Sequence, residues 1–316
     1  MSKSKTVVVA LGGNSFIADE SHQSVPDQYR AAEKACAEIV QLLRDPALRL
    51  VVTHGNGPQV GFILRRSELA APALHQVPLD SCVADTQGAL GYQLELALRN
   101  EMRRHGVSRP PAALVTLVAV DRDDPAFKNP TKPIGSFMTK EKAEEHRAKD
   151  GWDVVEDAGR GWRRVVASPQ PKAILDLEAV QRLLEAGFVV VAAGGGGIAV
   201  VEDETGSLAG ASAVVDKDLA SSLLARQLGA QMLVITTGVE KVALDFGKPT
   251  QRALDTMTLV EARRYMAEGH FKPGSMLPKV EACVAFLEGG GREAVITDPG
   301  HMAAAIEGRA GTRVVA

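Results

Sequence analysis

Cysteine is scarce in this 316-residue chain: Cys36, Cys82 and Cys283 are three in number, far apart and without metal-ligand spacing. That excludes a disulfide framework and points to free, buried thiols in a reducing cytoplasm. Aromatic residues make up only 4% of the chain, and both tryptophans, Trp152 and Trp162, fall in one stretch. Charge of one sign is also lacking, since the net charge is -3 with both signs interspersed. A nucleic-acid-binding face and a polybasic membrane patch are thereby excluded. No apolar run approaches the ~20 residues of a membrane span. The start, MSKSKTVVVALGGNSF, has an apolar run of only about five residues before a Gly-Gly turn, too short for the core of a signal peptide. Small molecules are left as the expected partners.

Several catalytic signatures are missing as well. H-E-x-x-H, C-x-x-C and G-x-S-x-G do not occur, and the seven histidines form no close pair. A Walker A loop fails because Gly247-Lys248 is followed by Pro249. The run GGGGIA from Gly194 to Ala199 satisfies the dinucleotide fingerprint, with Asp216 further on. That fingerprint must open a helix, however, and AVVEDETGSLAG reads as a strand, a turn at Glu204 to Gly206 and another turn.

What the chain does have is a rhythm. Short all-apolar runs recur at Val7 to Leu11, Leu50 to Thr53, Leu114 to Val120, Phe188 to Ala193, Met232 to Thr236 and Ala294 to Thr297. They are continuous rather than alternating, as in a parallel sheet covered on both faces. Helical periods lie between them: Tyr29, Ala32, Cys36, Ile39, Val40 and Leu43 share a face, as do Leu90, Leu94, Ala97 and Leu98, with others near 176–186, 217–228, 258–268 and 278–287. The alternation predicts an α/β fold, a doubly wound sandwich. From about Asp121 to Ser168 the chain turns polar and irregular and carries both tryptophans. This stretch reads as an inserted lid, because long irregular insertions in compact proteins are usually functional or disordered.

Four strands run into loops of glycine and small polar residues: Gly12 to Ser15, His54 to Gly61, Gly194 to Gly197 and Thr236 to Gly238. In a parallel sheet all four open at one carboxyl edge, where backbone N–H groups can approach an anion without interference from a Cβ. His54 either touches that ligand or fixes its loop. Three lysines stand in unusual company. Lys132 lies between Pro130 and Pro133, Lys217 between Asp216 and Asp218, and Lys279 at the head of a helix in GSMLPKVEA. A cation at a helix N-terminus is unfavourable by a few tenths of a kcal/mol or more, which implies an anion beside it. Glycine loops, lysines and an Asp pair, without an obvious nucleophile or base, are the parts of phosphoryl transfer. No base is needed if the acceptor is an acid anion, already deprotonated at neutral pH.

These residues resemble the carbamate kinases of the amino-acid kinase superfamily nearly end to end. The matching blocks are VVVALGGN, VVTHGNGPQVG, PLDSCVADTQGALGYQL, DPAFKNPTKPIG, EDAGRGWRRVVASPQP, GGGGI, VVDKDLAS, FGKP and GSMLPKVEA. The resemblance implies a three-layer αβα sandwich around a mainly parallel, about eight-stranded open sheet, a protruding subdomain and a homodimer. It implies reversible transfer of phosphate between carbamoyl phosphate and ADP, giving ATP and carbamate, with Mg²⁺ held mainly by the nucleotide phosphates. It assigns residues 1–210, with the insertion at about 121–168, to the carbamate side and residues 211–316 to the nucleotide.

Carried onto matching positions, the resemblance gives Gly12, Gly13, Asn14, Gly55 and Asn56 to the loops around the transferred group, with Gly194, Gly195 and Gly196 completing the wall. Lys132 would touch carbamoyl phosphate, Lys217 and Lys279 would stabilise the phosphoryl group, and Asp216 would orient the lysines with help from Asp218. Thr236, Thr237, Val239, Lys248, Gly274, Ser275 and Met276 would hold the nucleotide. Ser15, Ala199 and Glu240 depart from the family's common residues. Another small-acid kinase of the superfamily, or a sensor of nucleotide or carbamoyl phosphate without turnover, are the alternatives.

Overall fold

The computed structural model describes residues 5–17, 19, 21–156 and 161–316, with Asn14 and Ser136 described by backbone alone. Residues 157–160 of the block EDAGRGWRRVVASPQP lie outside the described residues. The chain begins β1 (Lys5–Leu11), α1 (Val25–Leu42), β2 (Leu48–His54), α2 (Gly57–Ala70), α3 (Leu79–His105), β3 (Pro111–Ala113) and β4 (Leu117–Val120). The inserted segment supplies β5 (Lys132–Met138), α4 (Lys140–Asp150), β6 (Asp153–Glu156) and β7 (Trp162–Val166). Then come β8 (Pro171–Ile174), α5 (Leu177–Glu185), β9 (Val189–Val191), β10 (Ile198–Glu202) and β11 (Leu208–Gly210). The remainder forms α6 (Lys217–Gln227), β12 (Met232–Thr236), β13 (Ala243–Leu244), β14 (Arg252–Ala253), β15 (Thr256–Thr258), α7 (Leu259–Ala267), α8 (Leu277–Glu288), β16 (Glu293–Thr297), α9 (Met302–Ile306) and β17 (Thr312–Val315).

The central sheet has eight strands among the described residues, in the order β15-β17-β16-β12-β1-β2-β9-β3. From β16 to β3 every pairing is parallel, whereas β17 runs antiparallel to β16. The expected αβα layering follows from the two-residue repeat of the strands. In β1, Val8 and Ala10 enter one core with residues of α6 and α8, while Val7, Val9 and Leu11 enter the other with α1 and α3. Helix α1 is started by a capping box between Ser24 and Asp27, and it buries Ala32, Cys36, Ile39 and Val40.

Strand β1 lies between β2 and β12, and the chain departs from it in both directions along the sheet. The carboxyl ends of these strands therefore flank a crevice at the point where strand order reverses, the position at which open α/β sheets bind ligands. The sheet is continuous across residue 210, because β12 pairs directly with β1.

The apolar run Leu114 to Val120 is not one strand, as its composition predicts. β3 ends in the central sheet, and β4 joins a second sheet of order β11-β10-β4-β8. The break falls at Thr116, whose hydroxyl accepts from Ala193 N–H at 3.0 Å and whose N–H donates to Gln87 Oε1 at 2.8 Å. The insertion forms a three-stranded antiparallel sheet, β5-β7-β6, with α4. It meets the body where β5 crosses α2. A Cβ on Gly61 would lie 3.0 Å from Gly135 Cα, so the two backbones touch there.

Candidate active site

The glycine loops open together at the carboxyl edge, and the structure divides their duties. Gly12 N–H donates to Thr236 Oγ1 at 2.9 Å, and Gly55 N–H donates to the Leu11 carbonyl at 2.9 Å, which fixes both loops to the sheet. Gly13, Gly55, Asn56 and Gly195 line a cleft of about 180 Å³. Gly12, Gly194 and Gly196 stand behind that lining rather than on it. The glycine run is required chiefly by packing. A Cβ on Gly194 would lie 2.3 Å from His54 Nε2, and one on Gly195, where φ is 67°, would lie 2.0 Å from Asn56 Nδ2. Asn56 Nδ2 in turn donates to Thr86 Oγ1 at 2.7 Å. The side chain of Asn14 lies outside the described residues.

His54 fixes the loop. Its ring is fully buried, and Nδ1 lies 3.1 Å from the Gly55 carbonyl oxygen. Burial, reinforced by the charge of Lys217 and partly offset by that hydrogen bond, lowers its pKa to about 4. The imidazole is therefore neutral at physiological pH and donates to its own loop.

All three singled-out lysines line the cleft, together with Asp216 and Asp218. Lys217 Nζ lies 2.5 Å from Asp218 Oδ1, and Lys279 Nζ lies 3.1 Å from Asp218 Oδ2. One carboxylate thus joins two ammonium groups. Burial pushes the Asp218 carboxyl upward, but Lys217 and Lys279 outweigh it and hold the pKa at about 2. The pKa of Lys217 is lowered, first by burial and further by Lys279, against the pull of Asp218. The first turn of α6 that carries Lys217 is braced from below, since Ser221 Oγ donates to the Lys217 carbonyl at 2.6 Å and meets Thr53 Oγ1 at 2.6 Å.

Asp216 caps the helix and holds one of the lysines, two of the roles open to an aspartate at a helix start. Its Oδ1 caps α6 by accepting from Asp218 N–H at 2.9 Å, and its Oδ2 accepts from Lys132 Nζ at 2.6 Å. It holds the lid lysine, while Asp218 holds the other two. The head of α8 matches the sequence expectation: Pro278 lies in the first turn, no side chain caps it and no acidic residue stands there. Lys279 is neutralised from a different helix, by Asp218 on α6.

A second cavity, of about 480 Å³, adjoins the first, and Ser275 lines both. Thr237, Val239, Lys248 and Met276 line it as the sequence suggests, while Gly274 faces the first cleft. Thr236 is fully buried and belongs to the wall through Gly12. Sequence reasoning assigned no role to Phe246, His270, Phe271 and Lys272, which also line it. Phe246 opens the block FGKP, and the other three fall between that block and GSMLPKVEA. Among the departures from the family's common residues, the Ser15 hydroxyl lies 3.4 Å from Thr236 Oγ1, Ala199 is buried in β10 and Glu240 is exposed.

No group of three or more His, Cys, Asp or Glu residues suited to a metal ion occurs among the described residues. Asp216 and Asp218 already accept from ammonium groups. This donor set fits a cation that arrives on nucleotide phosphates better than one held by a protein cage.

Residues 5–298 match the Amino acid kinase family. The chain is 50% identical over 312 residues to a carbamate kinase-like protein, YahI, of Escherichia coli, with 98% of both chains covered. It is 44% identical to the carbamate kinase of Thermococcus kodakarensis over 98% of this chain and 99% of that one. Among solved structures, the carbamate kinase of Giardia lamblia bound to AMP-PNP superposes with a TM-score of 0.92 at 37% identity, covering 100% of this chain and 99% of that one. The chain belongs to the amino acid kinase family, within its carbamate kinase group.

Proposed function

We infer that the chain is a carbamate kinase, moving a phosphoryl group between carbamoyl phosphate and ADP to give carbamate and ATP. The observation that carries this reading is the set of three ammonium groups held by two adjacent carboxylates at the mouth of the glycine loops. A cavity large enough for a nucleoside opens beside them. A β-phosphate oxygen of ADP attacks phosphorus, the bond to the carbamate oxygen breaks, and carbamate leaves as an anion. No proton has to move. This suits a cleft whose described lining contains no histidine or cysteine and whose carboxylates are already engaged by lysines.

Lys217 and Lys279 would neutralise the oxygens of the migrating group, and the N–H group of Gly13 would face it, while Gly55, whose N–H is held by the Leu11 carbonyl, would let the backbone come close. Lys132 would leave Asp216 for the carbamoyl phosphate anion as substrate enters. Mg²⁺ carried by the nucleotide would supply further charge neutralisation between its phosphates. Thr237, Val239, Lys248, Ser275 and Met276 line the cavity assigned to the nucleotide. On this reading residues 1–210 would supply the glycine loops and the lid on the carbamate side, and residues 211–316 the nucleotide side. Three free, buried cysteines suit a cytoplasmic protein, and no helix among the described residues is long and apolar enough to cross a membrane. A homodimer is the expected assembly.

A coupled assay that supplies ADP, Mg²⁺ and carbamoyl phosphate and reads ATP tests the proposal. Sustained ATP formation is expected. Protein that binds ADP yet forms no ATP would be a sensor, and turnover with another acyl phosphate in place of carbamoyl phosphate would point to a different small-acid kinase.

A further inference from the structure

Beside the catalytic cleft, with Ile134 lining both, a further cavity of about 290 Å³ lies between the lid and the body. The body lines it with Gly61, Leu64, Arg65 and Glu68 of α2. The lid lines it with Ile134 and Met138 of β5, Lys142 and His146 of α4, and Arg164 of β7. Its volume is at the lower end of small-molecule sites.

The feature without a structural purpose is Arg164. It is partly buried, and burial lowers its pKa, with Glu68, Asp150 and Asp153 pulling the other way from a distance. Among the described residues none of these carboxylates reaches it, and its guanidinium makes neither an ion pair nor a hydrogen bond. It lies over Trp152, with the guanidinium carbon 4.6 Å from the ring centroid. The same indole carries His146, stacked at 4.1 Å with the planes 7° apart. The stack fixes the guanidinium while leaving its N–H donors unused, an arrangement suited to receiving an anion. Lys142, also on the lining, has no carboxylate partner among the described residues, whereas Arg65 is joined to Glu68 at 3.4 Å. Leu64, Ile134 and Met138 supply an apolar remainder.

We propose that this cavity is a binding site for a small organic anion, with a carboxylate or phosphate head on Arg164 and Lys142 and an apolar body against Leu64, Ile134 and Met138. A ligand there touches the body and the lid at once. It sits beside the Gly61–Gly135 contact, on the strand whose first residue, Lys132, reaches into the catalytic cleft. Occupancy stabilises the lid on the body and, on the reading of Lys132 given above, is coupled to capture of carbamoyl phosphate.

The test is calorimetric titration of the full chain, at fixed ionic strength, with acetate, hexanoate, benzoate and inorganic phosphate. Hexanoate or benzoate should bind saturably and at least tenfold more tightly than acetate. That binding should persist in Lys217→Ala, which disables the catalytic cleft, and weaken at least tenfold in Arg164→Gln. Lys142→Gln, at an exposed position that leaves the fold undisturbed, should weaken it several-fold and covers the case in which Arg164→Gln fails to fold. Inorganic phosphate binding that responds to Lys217→Ala and not to Lys142→Gln belongs to the catalytic cleft and counts against a phosphate head at Arg164. The proposal is overturned if neither hexanoate nor benzoate saturates, if acetate binds as well as they do, or if binding disappears in Lys217→Ala and survives in both lid variants. Because binding is read without turnover, failure here leaves the kinase reading intact, and failure of the kinase assay leaves this site standing.

Discussion

Two ion-pair sets line the same cleft two residues apart, and they differ in how firmly they are built. In the floor, Lys217 and Lys279 share Asp218, with side chains 12%, 14% and 3% exposed. At the lid, Lys132 meets Asp216 with 30% and 14% exposed, and the lysine arrives on a strand of the inserted subdomain. The floor set bridges two body helices, α6 and α8, which pack on the same face of the sheet. Desolvation raises the cost of separating floor charges, whereas water can replace either partner at the lid. The floor is a preformed counter-charge for a phosphoryl group, and the lid pair is a contact that substrate can exchange.

The largest effect expected from this difference is on stability. Asp218→Ala would leave two buried ammonium groups facing each other and should cost about 3 kcal/mol, in the range for breaking a buried pair. Asp216→Ala loses a helix cap and a more exposed ion pair and should cost about 1 kcal/mol. Urea denaturation at pH 7 measures both, and equal costs would dissolve the distinction between floor and lid. The same carboxylate sets an acid limb. Its folded pKa, about 2, lies below the unfolded value of about 3.9. Its contribution is therefore complete above pH ~4 and is lost as pH falls from ~4 towards ~2. The stability gap between wild type and Asp218→Asn should narrow over that window and stay constant above it.

Catalysis gives the next effect. Lys217→Ala should lower kcat by about 100-fold or more, since losing one preorganised donor to a developing charge typically costs that much. Folding should be nearly retained, because Asp218 keeps Lys279. Single-turnover ATP formation at saturating substrates is the measurement, and near-normal turnover would remove Lys217 from the reaction.

Much of this site was legible because strand ends and lysine neighbours are local. The ends of β1, β2 and β12 fall where apolar runs give way to glycine or to Thr236, and parallel pairing gathers them whatever lies between. The division between Asp216 and Asp218 was not legible. Both precede or open the same helix, and the N-cap conformation decides which carboxylate turns back to the backbone and which points to the lysines. Gly194 to Gly196 were legible as glycines but not for their main reason, which lies in His54, Asn56 and Val215, all remote in sequence. The second sheet escaped because the step at Thr116 depends on Gln87 and Ala193, and α2 escaped because its start reads as part of a glycine loop.

The smallest expected effect sharpens the contrast from the lid side. Lys132→Ala removes a cation that the lid brings and leaves the floor untouched, so kcat at saturation should change little. The KM for carbamoyl phosphate should rise about tenfold, equivalent to about 1.4 kcal/mol of lost binding, while the KM for ADP stays within about twofold because the nucleotide cavity is lined entirely from Thr237 onward. Initial rates with each substrate varied at saturation of the other separate the two. A parallel rise in both constants would mean that Lys132 acts on the whole cleft. A kcat loss as large as that of Lys217→Ala would make the lid lysine part of the preformed floor and erase the difference in exposure as a guide to role.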